Sequence, residues 1–260
     1  MTHVPPPMPV QPMSVQPPLI AQYVECEFRV GQILNRTFAV LSRNLLPFCV
    51  VTAIAYLPNL LFLEREQTGL PQGRMIAMVF IGAILSLILS ALSQAIVLFG
   101  AFEDMRGRPV DMIASLKVGL SRFFPVIAVA LLVGLLTAFA AILLLFPAFI
   151  VMAMLFVSMP VCIVERLGPV KSLGRSSALT KGHRWKVFGL WLVIMLVTAV
   201  GSGMLGGISI ATGPIVGGLL KLIWGALAGA FNAIMVVVAY HDLRVVKEGI
   251  DTDRIASVFD

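Results

Sequence analysis

Charged residues are almost absent from six long stretches of this chain, and basic residues gather at only some of the boundaries between them. A hydrocarbon core about 30 Å thick takes about 20 helical residues to cross. Apolar windows of about that length run from 45 to 63, 75 to 102, 124 to 146, 147 to 164, 185 to 210 and 217 to 240. The third and fourth windows are contiguous, but Pro147 in "LFPAF" lacks the N–H that a continuing helix needs. A reversal there predicts six membrane spans. One long kinked helix would instead leave five, with the chain ends on opposite sides.

Lysine and arginine separate these two readings. Arg29, Arg36 and Arg43 precede the first span, and Arg106, Arg108, Lys117 and Arg122 lie between the second and third. Arg166, Lys171, Arg175, Lys181, Arg184 and Lys186 lie between the fourth and fifth, and Arg244, Lys247 and Arg254 follow the sixth. Six spans place all of these on one side and leave only Arg65, Arg74 and Lys221 on the other. Basic loops stay cytoplasmic, so the pattern predicts a multi-pass membrane protein with both termini inside. A five-span chain would split the set.

The junction between basic segment and span recurs. "VGQILNRTFAVLSRNLLPFCVV" from 30, "VDMIASLKVGLSRFFPVIAVALL" from 110 and "VKSLGRSSALTKGHRWKVFGLWLV" from 170 each lead into an apolar window. In the first, Val30, Ile33, Leu34, Thr37, Phe38, Leu41 and Leu45 keep the spacing of one helix face, opposite Arg29, Gln32, Arg36 and Arg43. The second sets Met112, Ile113, Leu116, Leu120 and Phe123 against Ser115, Lys117 and Arg122. In the third, Gly168-Pro169 suits a helix start and Gly182 a helix end. "SRNLLP" at 42–47 and "SRFFP" at 121–125 mark the first two seams, and the third lacks the proline. The expected fold is therefore an all-α helical bundle of six transmembrane helices and three interfacial amphipathic helices, in a threefold internal repeat.

Composition agrees. Of 260 residues, 59% are hydrophobic and 12% charged, with mean hydropathy +0.98, whereas a soluble domain carries about a quarter charged residues. A net charge of +6 and a pI near 9.6 are accounted for by basic span boundaries, and no nucleic-acid partner is expected. The first 24 residues are rich in proline, without a basic and then apolar leader, and read as a disordered tail. The membrane domain then covers 25–243, and 244–260 reads as a cytoplasmic tail. Cys26, Cys49 and Cys162 have no metal-ligand spacing and read as small hydrophobes.

An ionisable residue deep in a span is a functional signal, and none lies near the middle of these six. The polar residues are milder: Ser86, Ser90, Ser93 and Gln94 share a face of the second span, and Asn59 and Asn232 lie in the first and sixth. Two readings of Ser86, Ser90, Gln94 and Asn232 stand, interhelical hydrogen bonding or the lining of a conduit. Ser202/Gly206, Gly203/Gly207 and Gly225/Gly229 have the four-residue spacing of close helix contacts. His3, His183 and His241 form no metal or triad pattern, and Glu165 beside Arg166 reads as an anchor and local ion pair. No cofactor, metal site or catalytic residue is expected.

Three segments, "FRVGQILNRTFAVLSRNLLPF", "PVCIVERLGPVKSLGRSSALTKGHRWKVFGLWLV" and "YHDLRVVKEGID", together resemble bacterial membrane proteins related to the membrane domain of glycerophosphoryl diester phosphodiesterase. The matching positions are Pro160, Glu165, Arg166, Gly168, Pro169, Arg175, Ser176, Leu179, Lys181, Gly182 and Trp185. The resemblance implies the membrane architecture, a place in the bacterial cytoplasmic (inner) membrane and an involvement with lipids. It does not imply phosphodiesterase activity, because the catalytic barrel of about 250 residues has no room before Asp260. The expected function is therefore non-enzymatic organisation of lipids or partner proteins at the cytoplasmic face. The alternative is a channel or facilitator for a neutral or lipid-like solute. Anionic lipid headgroups are expected at Arg36, Arg43, Lys117, Arg122, Lys171, Arg175, Lys181 and Arg184, each contributing on the order of 1 kcal/mol. A protein partner or a homo-oligomer fits the same surface.

Overall fold

The computed structural model describes residues 28–63, 72–143 and 145–248. The proline-rich tail, Arg65 and residues 249–260 lie outside the described residues, as does the side chain of Asn59. The described chain is all α: α1 (Val30–Arg43), α2 (Leu45–Leu63), α3 (Gln72–Met105), α4 (Met112–Ser121), α5 (Phe123–Leu143), α6 (Leu145–Leu155), α7 (Ser158–Val164), α8 (Pro169–Thr180), α9 (Arg184–Thr212) and α10 (Pro214–Glu248). Five stretches are long and apolar enough to cross a membrane, namely α3, α5, α6 with α7, α9 and α10. The pair α1 and α2, bent by 91°, passes the same test together and gives up to six if it counts as one span. The chain is thus a multi-pass membrane protein by the length and apolarity of its helices.

Proline sets the breaks. It is the third residue of α2, α5, α6 and α7, as Pro47, Pro125, Pro147 and Pro160. In a first turn the missing N–H costs nothing, because those donors lack intrahelical partners, while the ring clashes with a helix arriving from four residues before. Pro47 therefore stops α1 at Arg43, and α2 leaves at a right angle. In the third unit the break is made by Gly182, with φ +90°, after α8 has opened on Gly168 and Pro169.

Packing follows the three units in a closed ring. The short helix of each unit lies on the last helix of the unit before it: α4 on α3, α8 on α6 and α7, and α1 on α10. The first long helix of each unit packs on its own partner and on the preceding unit, so α2 touches α3 and α10, α5 touches α6 and α3, and α9 touches α10 and α6. The inner helices α3, α7 and α10 meet one another. Their core, with Leu98, Val161, Ile234, Val238 and Tyr240, lies toward one end of the bundle.

Side-chain size decides which faces meet. On α4 the buried residues are Ser115 and Gly119, whereas Ile113 is 68% exposed and Leu120 is exposed as well. Ser115 was expected on the outward face with Lys117. The small face turns inward because a Cβ on Gly119 would sit 2.9 Å from Ile96 of α3, and in lipid the apolar face gains nothing by being covered. On α8 the buried set is Ser172, Ser176, Leu179 and Thr180. Ser176 donates at 2.8 Å to the carbonyl of Met154, one of the last-turn acceptors that the α6/α7 break leaves without a helical donor.

The two outer glycine pairs and the inner one behave differently. Gly225 and Gly229 form a flat seat for the Tyr56 ring, at 3.1 and 3.2 Å from a Cβ built on each. Gly203, Gly206 and Gly207 meet nothing within 4 Å. At the α9–α10 turn a Cβ on Gly217 would lie 2.8 Å from the Ser209 backbone. Gly217→Val is therefore expected to cost about 1–3 kcal/mol, lowering the melting temperature in detergent, whereas Gly203→Ala leaves it unchanged or raises it.

Candidate functional site

The basic ends of the helices come together at one end of the bundle. Arg36 of α1 donates through Nη1 to Asp242 of α10 at 2.7 Å. Arg43 lies 3.1 Å from Asp104 at the end of α3, and Asn44 Nδ2 donates to the same carboxylate at 2.8 Å. Glu103 lies 4.0 Å from Arg106 and 3.4 Å from Arg108. Asp111 caps α4 by accepting from the amides of Ile113 and Ala114. The two ends of the described chain are thus tied to each other.

The tightest arrangement joins α7, α8 and α10. Glu165 accepts from Arg175 Nε at 3.1 Å and from the Tyr240 hydroxyl at 3.0 Å. Arg175 also donates through Nη2 to Glu248, which accepts from Arg244 Nε at 2.9 Å. Two carboxylates and two guanidiniums balance in charge, and Tyr240 beneath them is fully buried. Tyr240, Arg244 and Glu248 stand at i, i+4 and i+8 on one face of α10. The charged residues after Tyr240 therefore continue the helix instead of starting a tail at 244. The connection from α7 is made by Arg166, the one non-glycine with positive φ (+54°) among the described residues, in a left-handed position that glycine would occupy more cheaply.

The expected headgroup residues divide into two sets. Arg36, Arg43 and Arg175 are held by carboxylates. Lys117, Lys171 and Lys181 are exposed, Arg122 and Arg184 are half-buried, and none of these five has a carboxylate partner among the described residues. Arg184 stands with Trp185, Phe149 and Phe188 around an apolar cavity of about 470 Å³. Trp185 is 75% exposed beside this basic end, as expected of an aromatic at a membrane interface. A second cavity of about 470 Å³ lies between α1, α9 and α10, lined by Phe38, Trp224 and Phe231 among others. A polar one of about 710 Å³ lies where α3, α4, α7 and α10 converge.

Ser90 donates within its own helix to Leu87 at 3.1 Å, Ser86 has a partner of its own, and Gln94 and Asn232 are half-buried. None of them lines the three cavities. The interhelical hydrogen bond that the structure does supply here comes from Thr52, donating to the Ala226 carbonyl at 2.8 Å. Among the described residues no group of histidine, cysteine, aspartate and glutamate is placed to hold a metal ion. No protein-family model, curated protein or solved structure matches this chain.

Removing Arg175 leaves two half-buried carboxylates without their shared cation. Arg175→Met is expected to cost about 3 kcal/mol, Arg175→Lys to recover only part because one ammonium cannot span both carboxylates, and Glu165→Gln to reduce the penalty in the double variant. A double-mutant cycle by thermal unfolding in detergent checks this.

His183 gives a pH dependence. Burial, with Lys247 and Lys186 nearby, holds its imidazole below the ordinary value of 6.5. The unfolded chain therefore binds this proton first, so the stability contribution is complete above pH 6.5 and is lost as pH falls below it. His183→Gln should show a smaller drop in melting temperature than the parent between pH 7.5 and 5.5.

Proposed function

We propose that this chain is a non-enzymatic protein of the bacterial cytoplasmic membrane that gathers anionic lipids, and partner proteins with them, at a cytoplasm-facing basic end. The observation that carries this reading is how the charges are divided. Every described carboxylate at this end is engaged by an arginine or a helix amide, while Lys117, Lys171 and Lys181 point out of the bundle. Beside them Ile113, Leu116, Leu120 and Val170 are exposed. Exposed apolar residues beside lysine on short helices are what an anionic leaflet binds. The resemblance around Glu165 to Trp185 supports the same direction, and the excess of basic residues at this end favours its cytoplasmic orientation.

The test is lipid retention. The full chain and its Lys117→Gln/Lys171→Gln/Lys181→Gln variant are purified in mild uncharged detergent, and bound phospholipid is counted by mass spectrometry. Each lysine contributes about 1 kcal/mol, so the variant is expected to hold roughly fivefold less anionic lipid per lysine removed, at unchanged zwitterionic lipid. An unchanged ratio of anionic to zwitterionic lipid overturns the reading.

A further inference from the structure

The polar cavity of about 710 Å³ has walls of a particular composition. Arg106, Arg122, Arg166 and Arg244 line it, together with a single carboxylate, Glu103. Its remaining lining is largely apolar, with Phe99, Phe102 and Ile163 among it. The four arginines come from four places in the chain: the end of α3, the α4/α5 seam, the α7/α8 turn and α10. Their convergence is a product of the ring packing and not of any local run of basic sequence.

The cations are only partly neutralised. Glu103 is shared between Arg106 and Arg108, at 4.0 and 3.4 Å, and Arg106 also lies 5.2 Å over the Phe102 ring. Arg244 uses Nε on Glu248, which leaves four of the five N–H donors of its guanidinium. Arg122 and Arg166 have no carboxylate partner among the described residues. Arg122 is half-buried and Arg166 exposed, and Arg166 is held at the cavity by a turn whose backbone carries strain.

We infer that this cavity binds a phosphate ester, with the phosphate between Arg122 and Arg166 and the organic part against Phe99 and Phe102. Three arguments select this chemistry. Guanidinium presents paired donors that match phosphate oxygens, and all four cations here are arginine, whereas the lysines of α4 and α8 face outward. A phosphate offers enough oxygens to satisfy several guanidiniums at once, which a single carboxylate does not. A volume of about 710 Å³ falls in the range of small-molecule sites and exceeds what inorganic phosphate fills. Basic pockets between membrane helices take lipid headgroups, and a soluble phosphate monoester presents the same group. This inference deepens the lipid reading above but rests on a different set of residues.

The test uses the full chain, purified and delipidated in uncharged detergent. Its melting temperature is followed against short-chain phosphatidic acid, phenyl phosphate and, as control, short-chain phosphatidylcholine. Phosphatidic acid is expected to raise it saturably. Stabilisation by phenyl phosphate as well identifies soluble esters as ligands; stabilisation by phosphatidic acid alone identifies the lipid headgroup. In Arg122→Gln/Arg166→Gly the half-saturating concentration should rise at least about tenfold, as expected for loss of charge-assisted hydrogen bonds. Glycine suits the positive φ at 166, so this variant keeps its fold. The lysine triple variant should bind phosphatidic acid as the parent does. Absence of any shift, an equal shift in the arginine variant, or loss in the lysine variant alone overturns the inference. Unchanged lipid retention in the lysine variant with loss in the arginine variant overturns only the surface reading.

Discussion

Hydrocarbon offers no hydrogen bond to a backbone amide or carbonyl, and that constraint governs where this chain can stop being helical. The breaks that fall at the basic end, or just inside it, are each covered. The α4 amides find Asp111. The α1/α2 corner carries Asn44, whose amide nitrogen donates back to Leu41 and Val40 carbonyls. The most exacting case is the α6/α7 interruption, where the chain breaks helix inside an apolar stretch. It is tolerated because α8 packs over it and brings Ser176 to Met154. A helix with a serine and threonine face is therefore the appropriate neighbour, although it would be a poor one in a soluble core.

Charge follows from the same placement. At the basic-end breaks the carboxylates are drawn inward as pins between helices, since each finds an arginine or an amide there and would otherwise be desolvated alone. Glu165, Arg175 and Glu248 tie the consecutive helices α7 and α8 to α10, far along the chain. The cations left over cannot be paired internally and must face lipid, water or a ligand. The charge excess that makes the sequence basic is thus concentrated in a few positions, and the arginines and lysines among them divide between cavity and exterior.

Much of the fold was legible because apolar length and proline position are local properties. The first window, 45–63, coincides with α2, and the seams at Pro47 and Pro125 fall where the recurring motif placed them. Two boundaries escaped. The fourth window hides a break before Pro160, since a charge-free run gives no sign of interruption, though the third-residue prolines of α2, α5 and α6 set the precedent. The sixth helix runs eight residues past Tyr240, because its charged residues have partners on α1, α7 and α8 that no local pattern contains. The spacing of Tyr240, Arg244 and Glu248 was the available signal. Ser115 facing inward was not legible, because burial of a small residue depends on how closely α3 approaches.

The contrast between the two ends of the bundle bears on where activity resides. Away from the basic end, Phe80, Leu135, Phe139, Met204 and Ile208 are exposed, and Gly203, Gly206 and Gly207 of α9 meet nothing within 4 Å. Lipid replaces such contacts at no cost, so those helix halves are held at few points, among them Gly217 against Ser209. At the basic end the ion pairs, caps and tight glycine seats fix positions to within a hydrogen bond. Recognition needs that fixity. An anion seated between Arg122 and Arg166 would remove the repulsion between cations contributed by separate helices, and so would tighten the junction of α3, α4, α7 and α10 on which the ring closes.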